Sequence, residues 1–239
     1  MSRLTWLDEN SLAFPPTSLA LEDPNGLLAV GGDLSCERLI EAYNRGIFPW
    51  FSDNQPYLWW SPSPRMIIIP SEVHFGRTLR KQLRKNQFNI TVDQCFEEVI
   101  ERCSKINRNG EVGTWISDEI IRSYTRLHHM GLAHSIETRQ NGILVGGLYG
   151  VSIGKVFFGE SMFSQVSGAS KIAFSYLAKQ LSLWNYELID CQIHTDYLQS
   201  FGAQEVSRER FEVLLNIAVQ QKGTTDWSAS WSPQEFGFD

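Results

Sequence analysis

Two carboxylates lie within short apolar segments of the chain, where charged residues are unusual. Glu160 interrupts one such segment and Asp190 interrupts a second one. A buried strand rarely carries an ionised carboxylate unless a partner offsets its charge, so both residues are candidates for chemistry. The period-2 alternation of a strand places Asp190 and Gln192 on one face and Cys191 on the other. The pattern therefore predicts an ionised acceptor beside a neutral amide on one surface.

A helical pattern separates the two segments. Apolar residues recur there at helical spacing, at Ile172, Ala173, Tyr176, Leu177, Leu181 and Trp184. A strand, a helix and a second strand form a crossover unit, whose strands pair in parallel. We therefore expect Glu160 and Asp190 on neighbouring strands.

Length and composition restrict the class of protein. The chain has 239 residues, 42% hydrophobic and 20% charged, which suits one large or two modest globular domains. Its net charge of −6 argues against a uniformly basic nucleic-acid binder but allows a local basic patch. No apolar run approaches the roughly 20 residues of a membrane span, and the first residues lack the apolar core of a secretion signal. We expect a cytoplasmic protein that does not bind a membrane.

The cysteines do not predict a metal centre. Cys36, Cys95, Cys103 and Cys191 show no C-x-x-C spacing and have no histidine at ligand spacing. A disulfide framework is an equally poor interpretation for this composition. We expect four small buried side chains and no bound metal.

Residues 1–64 differ in composition from the rest of the chain. They are dense in proline, glycine and aromatic residues and contain one convincing helix, over 35–45, with Asp33 or Ser35 as its cap. The glycines match neither of the common phosphate-binding spacings. This stretch predicts a small domain, with residues 65–239 forming a larger one. Trp50 lies here on a loop, where an aromatic ring is either core or a platform for a nucleic-acid base. Taken alone, this stretch favours a core role for Trp50.

The first helix of the larger domain is strongly basic. Over 73–85, one arc of the helix carries five cations and no acid: Arg77, Arg80, Lys81, Arg84 and Lys85. Such runs are usually solvated surface. Cations at helical neighbour spacing repel one another unless something neutralises them, and this favours a polyanionic partner.

The later elements follow from caps and turns. Asp93 is expected to cap a helix running to about Cys103, and Ser117 a second one. Two strands flank Asn141-Gly142, a type I′ hairpin signal, and a helix is expected over 208–219. The tail from 224 has no periodicity and is expected to be irregular.

Glycines at 146, 147 and 150 indicate bulges or a close backbone approach in the second strand of this hairpin. A ligand lying against the sheet is one explanation for them.

Nine sequence blocks together resemble bacterial leucyl/phenylalanyl-tRNA–protein transferases, in order over nearly the whole chain. They are Phe14-Pro15-Pro16, Asn25-Gly-Leu-Leu-Ala-Val-Gly-Gly-Asp-Leu-Ser35, Arg45-Gly-Ile-Phe-Pro-Trp50, Leu58-Trp-Trp-Ser-Pro62, Gly113-Thr-Trp-Ile116, Ala133-His-Ser-Ile-Glu137, Leu144-Val-Gly-Gly-Leu-Tyr-Gly-Val151, Gly159-Glu-Ser-Met-Phe-Ser164 and Leu188-Ile-Asp-Cys-Gln192. The resemblance implies an α+β architecture, in which a GNAT-like mixed sheet with flanking helices is joined to a small N-terminal α/β domain.

The resemblance also implies a reaction. Such enzymes move leucine or phenylalanine, with methionine as a further candidate, from tRNA to proteins that begin with Lys or Arg, which creates a degradation signal. An aminoacyl ester is already activated, so no cofactor is expected. By resemblance, Asp190 orients and polarises, Gln192 contacts the attacking amine as a positioner or relay, and Glu160 holds the cationic N-terminal residue.

The resemblance further implies an aminoacyl pocket formed by Leu148, Phe157, Phe174 and Ile189. Trp50 and Trp115 would hold the terminal adenosine of the tRNA, and the basic helix would meet its phosphates. Simple alternation sets Phe157 against Glu160, so this pocket requires a bulge at Gly159 or a cavity behind the sheet.

Three alternatives remain at this point. An acyl-CoA N-acyltransferase is suggested by residues 165–170, which nearly match a pyrophosphate-binding loop but depart from it at Ser170. A non-catalytic RNA-binding protein would use the basic helix and tryptophans but leaves the carboxylates unexplained. A cysteine enzyme using Cys191 and His194 is opposed by strand parity, which points the two side chains to opposite faces.

Overall fold

The strands of this chain form two sheets. The computed structural model describes residues 4–52, 54–106, 115–233 and 236–237. Within them, the smaller sheet has the order β1-β2-β4-β3, with β1 Thr5–Leu7, β2 Leu27–Gly31, β3 Phe48–Pro49 and β4 Leu58–Trp60. Its strands all precede residue 64, in the stretch expected to form the small N-terminal domain.

The larger sheet is mixed and has seven strands in the order β11-β5-β10-β9-β8-β7-β6. These are β5 Arg65–Ile68, β6 Asn89–Val92, β7 Ala133–Gln140, β8 Ile143–Ile153, β9 Val156–Ser164, β10 Leu188–Gln192 and β11 Gln204–Val206. In this sheet β9 and β10 pair in parallel, and all the remaining neighbours pair antiparallel. The predicted α+β mixed sheet is confirmed, and so is the crossover that places Glu160 and Asp190 on neighbouring strands.

Helices cover both faces of the larger sheet. They are α1 Cys36–Asn44, α2 Arg77–Arg84, α3 Phe96–Ser104, α4 Asp118–His129, α5 Ala169–Leu183, α6 Asp196–Gln199, α7 Arg208–Val219 and α8 Trp227–Ser230. Buried side chains of α2 and α5 share one core with one face of the sheet, whereas those of α1, α3, α4 and α7 share a second core with the other face. The hydroxyls of Ser35 and Ser117 cap α1 and α4 as expected.

Two predicted helix starts are wrong. α2 begins at Arg77 rather than near residue 73, because residues 70–72 form a 3₁₀ turn and Gly76 is the N-cap. Asp93 does not cap α3. Its backbone has φ 54°, and its carboxylate accepts from the Ser135 N–H at 2.8 Å and contacts Nδ1 of His134 at 2.7 Å. A tertiary partner therefore replaces the local cap.

The glycines of β8 are explained by the protein itself. A Cβ on Gly146 would lie 2.4 Å from the Cβ of Ala169, where α5 begins, and one on Gly150 would lie 2.2 Å from the Phe158 carbonyl oxygen. The close approach is confirmed, but its partner is α5 and β9 and not a ligand. Asn141 and Gly142, with φ of 52° and 80°, form the predicted turn.

The C-terminal tail is more ordered than its sequence predicts. Trp227 opens α8, is 2% exposed and stacks on His134 with ring centroids 4.0 Å apart. The expectation of an irregular tail is wrong here, because one large aromatic ring supplies the packing that periodicity does not reveal.

The remaining expectations concern cysteines, metals and membranes. Cys36, Cys103 and Cys191 are buried, Cys95 is partly buried, and all four are free. The described ranges contain no group of three or more His, Cys, Asp or Glu side chains that could hold a metal ion. In the same part of the chain, no helix is long and apolar enough to span a membrane.

Candidate active site

A cavity of about 390 Å³ opens where β9 and β10 part. Their parallel pairing ends at Asp190 opposite Phe158, although β9 continues to Ser164 and β10 to Gln192. The opening brings side chains from both faces of the sheet to one space. The residues that line this space include Trp50, Trp115, Leu148, Phe157, Glu160, Phe174, Ile189, Cys191, Gln192 and Tyr197.

Glu160 lies at a β-bulge and lines this cavity. Tyr149 pairs with Ser161 and Gly150 pairs with Gly159, which leaves Glu160 as the extra residue of β9. Its donors Tyr43 and Tyr124 belong to the same core as Phe158, so the carboxylate keeps the face that alternation gives it, and Phe157 lies in the core of the other face. Both side chains line the cavity because β9 and β10 part, so the proposed pocket is a cavity that extends through the gap to the far side of the sheet.

The apolar wall of the cavity includes the four expected side chains. Leu148, Phe157, Phe174 and Ile189 are each at most 4% exposed. They come from β8, β9, α5 and β10, so no single element forms this wall. Its size and lining suit an uncharged side chain of aliphatic or aromatic type.

Asp190 lies outside the cavity. Nε of Arg65 donates to its Oδ1 at 2.8 Å and Nη2 to its Oδ2 at 2.6 Å, and both side chains are at most 1% exposed. As expected from alternation, the side chains of Asp190 and Gln192 make their contacts on the face covered by α1, α4 and α7, and Cys191 lies in the core of the other face. β10 has an irregular register between these residues, with Asp190 opposite Ile67 and Gln192 opposite Met66.

Gln192 connects the two carboxylates. Its backbone N–H donates to Oδ1 of Asp190 at 2.9 Å, and its Nε2 donates to Oε1 of Glu160 at 3.0 Å. Its φ of 64° lies in the left-handed region, which turns the side chain into the cavity. The amide of Gln192 is thereby fixed between a buried ion pair and a second carboxylate.

Glu160 is surrounded by neutral donors. The hydroxyl of Tyr43 donates to Oε1 at 2.8 Å and that of Tyr124 to Oε2 at 3.3 Å. Withdrawal from water raises its pKa to about 7, reinforced by the nearby charge of Asp190 and opposed by the hydrogen bonds from Tyr43, Tyr124 and Gln192. Glu160 therefore changes charge near neutral pH.

Sequence reasoning missed Arg65, Tyr43 and Tyr124. Arg65 immediately precedes an apolar strand, and a cation in that position was a signal for a buried carboxylate partner. The two tyrosines lie on α1 and α4, and their hydroxyls contact each other. Nothing in their spacing distinguishes them from ordinary core residues.

Two tryptophans border the cavity. Trp50 is 43% exposed, and its carbonyl oxygen accepts from Nε1 of Trp60 at 2.6 Å. Trp115 is partly buried and lines the cavity from the loop before α4. The sequence alone favoured a core role for Trp50, whereas the structure leaves this ring accessible beside the site.

The basic face of α2 is present and unneutralised. Among the described residues, none of its five cations has an acidic partner within 4.0 Å. Arg80 is partly buried and donates through Nε to the Phe75 carbonyl at 2.7 Å, whereas Arg77, Lys81, Arg84 and Lys85 are exposed. α2 packs beside α5, whose first turns line the cavity.

The cysteine alternative finds little support. Burial and the charge of Asp190 raise the pKa of the Cys191 thiol well above its usual range. His194 is exposed and lies within 4.0 Å of Asp196 and Glu205. A protonated thiol without a basic partner is a poor nucleophile.

The acyl-CoA alternative depends on free amides at the start of α5. The Ser170 N–H donates to Oγ of Ser164 at 2.8 Å and the Ala169 N–H to the Val166 carbonyl at 3.0 Å. These contacts already use two donors that a pyrophosphate would need.

Sequence comparisons bear on the whole chain. A family model described as leucyl/phenylalanyl-tRNA protein transferase matches residues 67–216, and a model of the N-terminal domain of that transferase matches residues 32–63. The chain is similar to proteins named leucyl/phenylalanyl-tRNA–protein transferase. It is 60% identical to one from Teredinibacter turnerae over 90% of this chain and 83% of that protein. It is 53% identical to one from Saccharophagus degradans over 99% of both.

Solved structures give a weaker match. A GCN5-related N-acetyltransferase from Kribbella flavida aligns over 70% of this chain and 60% of its own, with 10% identity and a TM-score of 0.36. That score is too low to say anything about activity.

Proposed function

Because this chain belongs to the leucyl/phenylalanyl-tRNA–protein transferase family, we propose that it transfers leucine or phenylalanine from aminoacyl-tRNA to the α-amino group of a protein. Methionine is a further candidate donor residue. The acceptor proteins are those that begin with Lys or Arg, and the product is a degradation signal of the N-degron type. The reaction takes place in the cytoplasm, where charged tRNA is used.

The observation that carries the proposal is the parting of β9 and β10 beside the bulge in β9. This arrangement brings an ionisable carboxylate, Glu160, and an oriented amide, Gln192, to one end of an apolar cavity. An apolar pocket suits the leucyl or phenylalanyl side chain, and the polar end suits a cationic amino acid. The site thus has room for both reactants with their reacting atoms between them.

Each part of the donor has a corresponding surface. The aminoacyl side chain occupies the space between Leu148, Phe157, Phe174 and Ile189. The terminal adenine stacks against Trp50 or Trp115, since exposed aromatic rings bind bases in this way. The α2 cations contact phosphates of the acceptor stem, which supply a countercharge that the described part of the chain does not offer this face.

Glu160 binds the cationic end of the acceptor. Its carboxylate faces the cavity, where the side chain of an N-terminal Lys or Arg would find an ionised partner. Tyr43 and Tyr124 hold it through two more hydrogen bonds. Because the negative charge is already oriented, the acceptor does not have to organise it on binding.

The chemical step needs few groups from the protein. The free amine attacks the ester carbonyl carbon, a C–N bond forms, and the bond to the ribose oxygen breaks as that oxygen receives a proton. The amine is ordinarily protonated up to a pKa of roughly 7.7–8.0, so the enzyme must favour its neutral form at the carbonyl. Gln192 positions the amine. Asp190 orients Gln192 by accepting a hydrogen bond from its backbone N–H, and so acts on the amine indirectly.

A transfer assay tests this proposal. Labelled leucyl-tRNA is incubated with the enzyme and a peptide that begins with Arg, beside the same peptide with an acetylated N-terminus and a reaction with acetyl-CoA as donor. We expect transfer from the tRNA to the free amine alone. Transfer from acetyl-CoA would favour the acyl-CoA enzyme, and salt-sensitive tRNA binding without any transfer would favour an RNA-binding protein.

A further inference from the structure

Arg65 supports the site from behind the cavity wall. It opens β5, is 1% exposed and contacts both oxygens of Asp190 through two separate nitrogens. Its guanidinium lies 4.9 Å from the ring centroid of Phe48 and 4.6 Å from that of Phe211. A planar fork held between two rings fixes the orientation of the carboxylate as well as its position.

The fixed carboxylate of Asp190 in turn restricts the conformation of Gln192. Oδ1 accepts from Arg65 and also from the Gln192 N–H at 2.9 Å. Gln192 has φ 64°, in the left-handed region that is unfavourable for a residue with a side chain. The contact with Asp190 helps to offset that cost, so the direction of the Gln192 amide depends on where the carboxylate is held.

We propose that Arg65 is a positioning residue for the transfer reaction. Through Asp190 it holds Gln192 in its left-handed conformation and so aims the amide at Glu160 and the attacking amine. The inference rests on the proposed function. Arg65 does not line the cavity, and its hydrogen bonds to Asp190 are the route by which it acts on Gln192.

A double-mutant cycle tests that route. Arg65→Met, Asp190→Asn and the double variant are compared by kcat and by KM for each substrate. We expect each single variant to lower kcat by about 100-fold, the loss that a small misplacement of a reacting group can produce. Affinity for tRNA should not change, since α2 is untouched. The double variant should be no slower than Asp190→Asn, whereas losses that multiply would overturn the proposal.

A conservative pair of variants separates positioning from stability. Arg65→Lys keeps the charge but loses the fork, and Arg208→Lys is its matched control. Arg208 is a partly buried arginine that donates to the Ser61 carbonyl at 2.9 Å and to its hydroxyl at 3.0 Å without touching Asp190. We expect kcat to fall in Arg65→Lys and to stay near the wild-type value in Arg208→Lys. Equal losses in both would show a general effect on folding and overturn the proposal.

Amide hydrogen exchange gives a readout that needs no activity. The Gln192 N–H should exchange slowly in the wild type and at least tenfold faster in Arg65→Lys, while amides of α5 stay protected. Unchanged exchange at Gln192 would overturn the proposal. If the wild type transfers nothing, the proposed function fails, yet this measurement still decides whether Arg65 fixes Gln192.

Discussion

The two carboxylates of the site have opposite surroundings. Asp190 is paired with a guanidinium and sealed from water, whereas Glu160 receives hydrogen bonds from tyrosines and an amide. Asp190 has a cation as its partner, whereas burial raises the pKa of Glu160 to about 7 and only neutral donors oppose that rise. We propose different tasks for these two carboxylates: Asp190 orients Gln192, and Glu160 faces the acceptor.

Glu160→Gln should weaken acceptor binding while sparing the fold. We expect KM for an Arg peptide to rise roughly 10- to 100-fold, the worth of one charge-assisted hydrogen bond. KM for leucyl-tRNA should hardly change. In the wild type, KM for the peptide should also rise as pH falls below about 7, because Glu160 becomes neutral there. An unchanged peptide KM in the variant would refute the role given to Glu160.

The same substitution should alter the pH dependence of stability. The pKa of Glu160 is about 7 in the folded protein against an ordinary 4.5, so the native state holds this proton more tightly. The protonated Glu160 therefore adds to the free energy of unfolding, by as much as about 3 kcal/mol. This contribution is fully present below pH 4.5 and is lost as pH rises through 7. Urea unfolding at pH 5 and pH 8 should show this fall in the wild type and a smaller one in Glu160→Gln.

Among the elements, β9 and α2 make the site. The bulge in β9 and the parting of β9 from β10 create a cavity that reaches both faces of the sheet. Close packing fixes this geometry, since Gly150 leaves no space for a Cβ beside β9. α2 lies beside α5 and carries cations that have no acidic partner among the described residues, and we propose that a nucleic acid approaches the cavity there.

Removing positive charge from α2 should weaken tRNA binding without lowering kcat at saturating tRNA. Arg77→Gln with Arg84→Gln changes two exposed cations that have no acidic partner among the described residues. We expect lower tRNA affinity and a salt dependence whose log–log slope falls by about 1 for each cation removed. Filter binding across salt concentrations measures both quantities. The matched control is Arg122→Gln, an exposed arginine on α4, which covers the other face of the sheet.

An affinity loss of the same size in Arg122→Gln would mean that α2 is not the tRNA surface. A reduced kcat at saturating tRNA in the α2 variant would likewise contradict a purely electrostatic role for this helix.

At the scale of the whole molecule, the site joins two parts of the chain. Tyr43 lies before residue 64 on α1, yet it donates to Glu160 of the larger sheet and shares a core with Phe158. We retain the division into 1–64 and 65–239 as a proposal about domains. The contact of Tyr43 with Glu160 indicates that the smaller part completes the site rather than only extending the surface.

The C-terminal segment should contribute to global stability. Trp227→Ala removes a ring that is 2% exposed and stacked on His134, so we expect a loss of about 3–5 kcal/mol in the free energy of unfolding. Trp6→Ala is the matched control, because that ring is 71% exposed and its loss should cost about 0.5 kcal/mol or less. Chemical denaturation measures both, and equal effects would contradict the packing role of α8.

The sequence by itself determined much of this protein. Periodicity gave the crossover around α5, hydroxyl residues marked the starts of α1 and α4, and Asn141-Gly142 marked the hairpin. Polar residues in apolar strands identified Glu160, Asp190 and Gln192 as candidates. These signals are local, because caps, turns and amphipathic faces depend on residues close together in the chain.

Only the tertiary structure decided which groups meet. Arg65 reaches Asp190 across 125 positions of sequence, and Tyr43 reaches Glu160 across 117. The parting of β9 from β10 joined Glu160 and Phe157, which lie on opposite faces, in one cavity, and packing on His134 placed a turn of helix in a tail without periodicity. Such contacts form because buried charges and rings need partners, which can come from any part of the fold. The pattern of neighbouring residues in the sequence does not identify those partners.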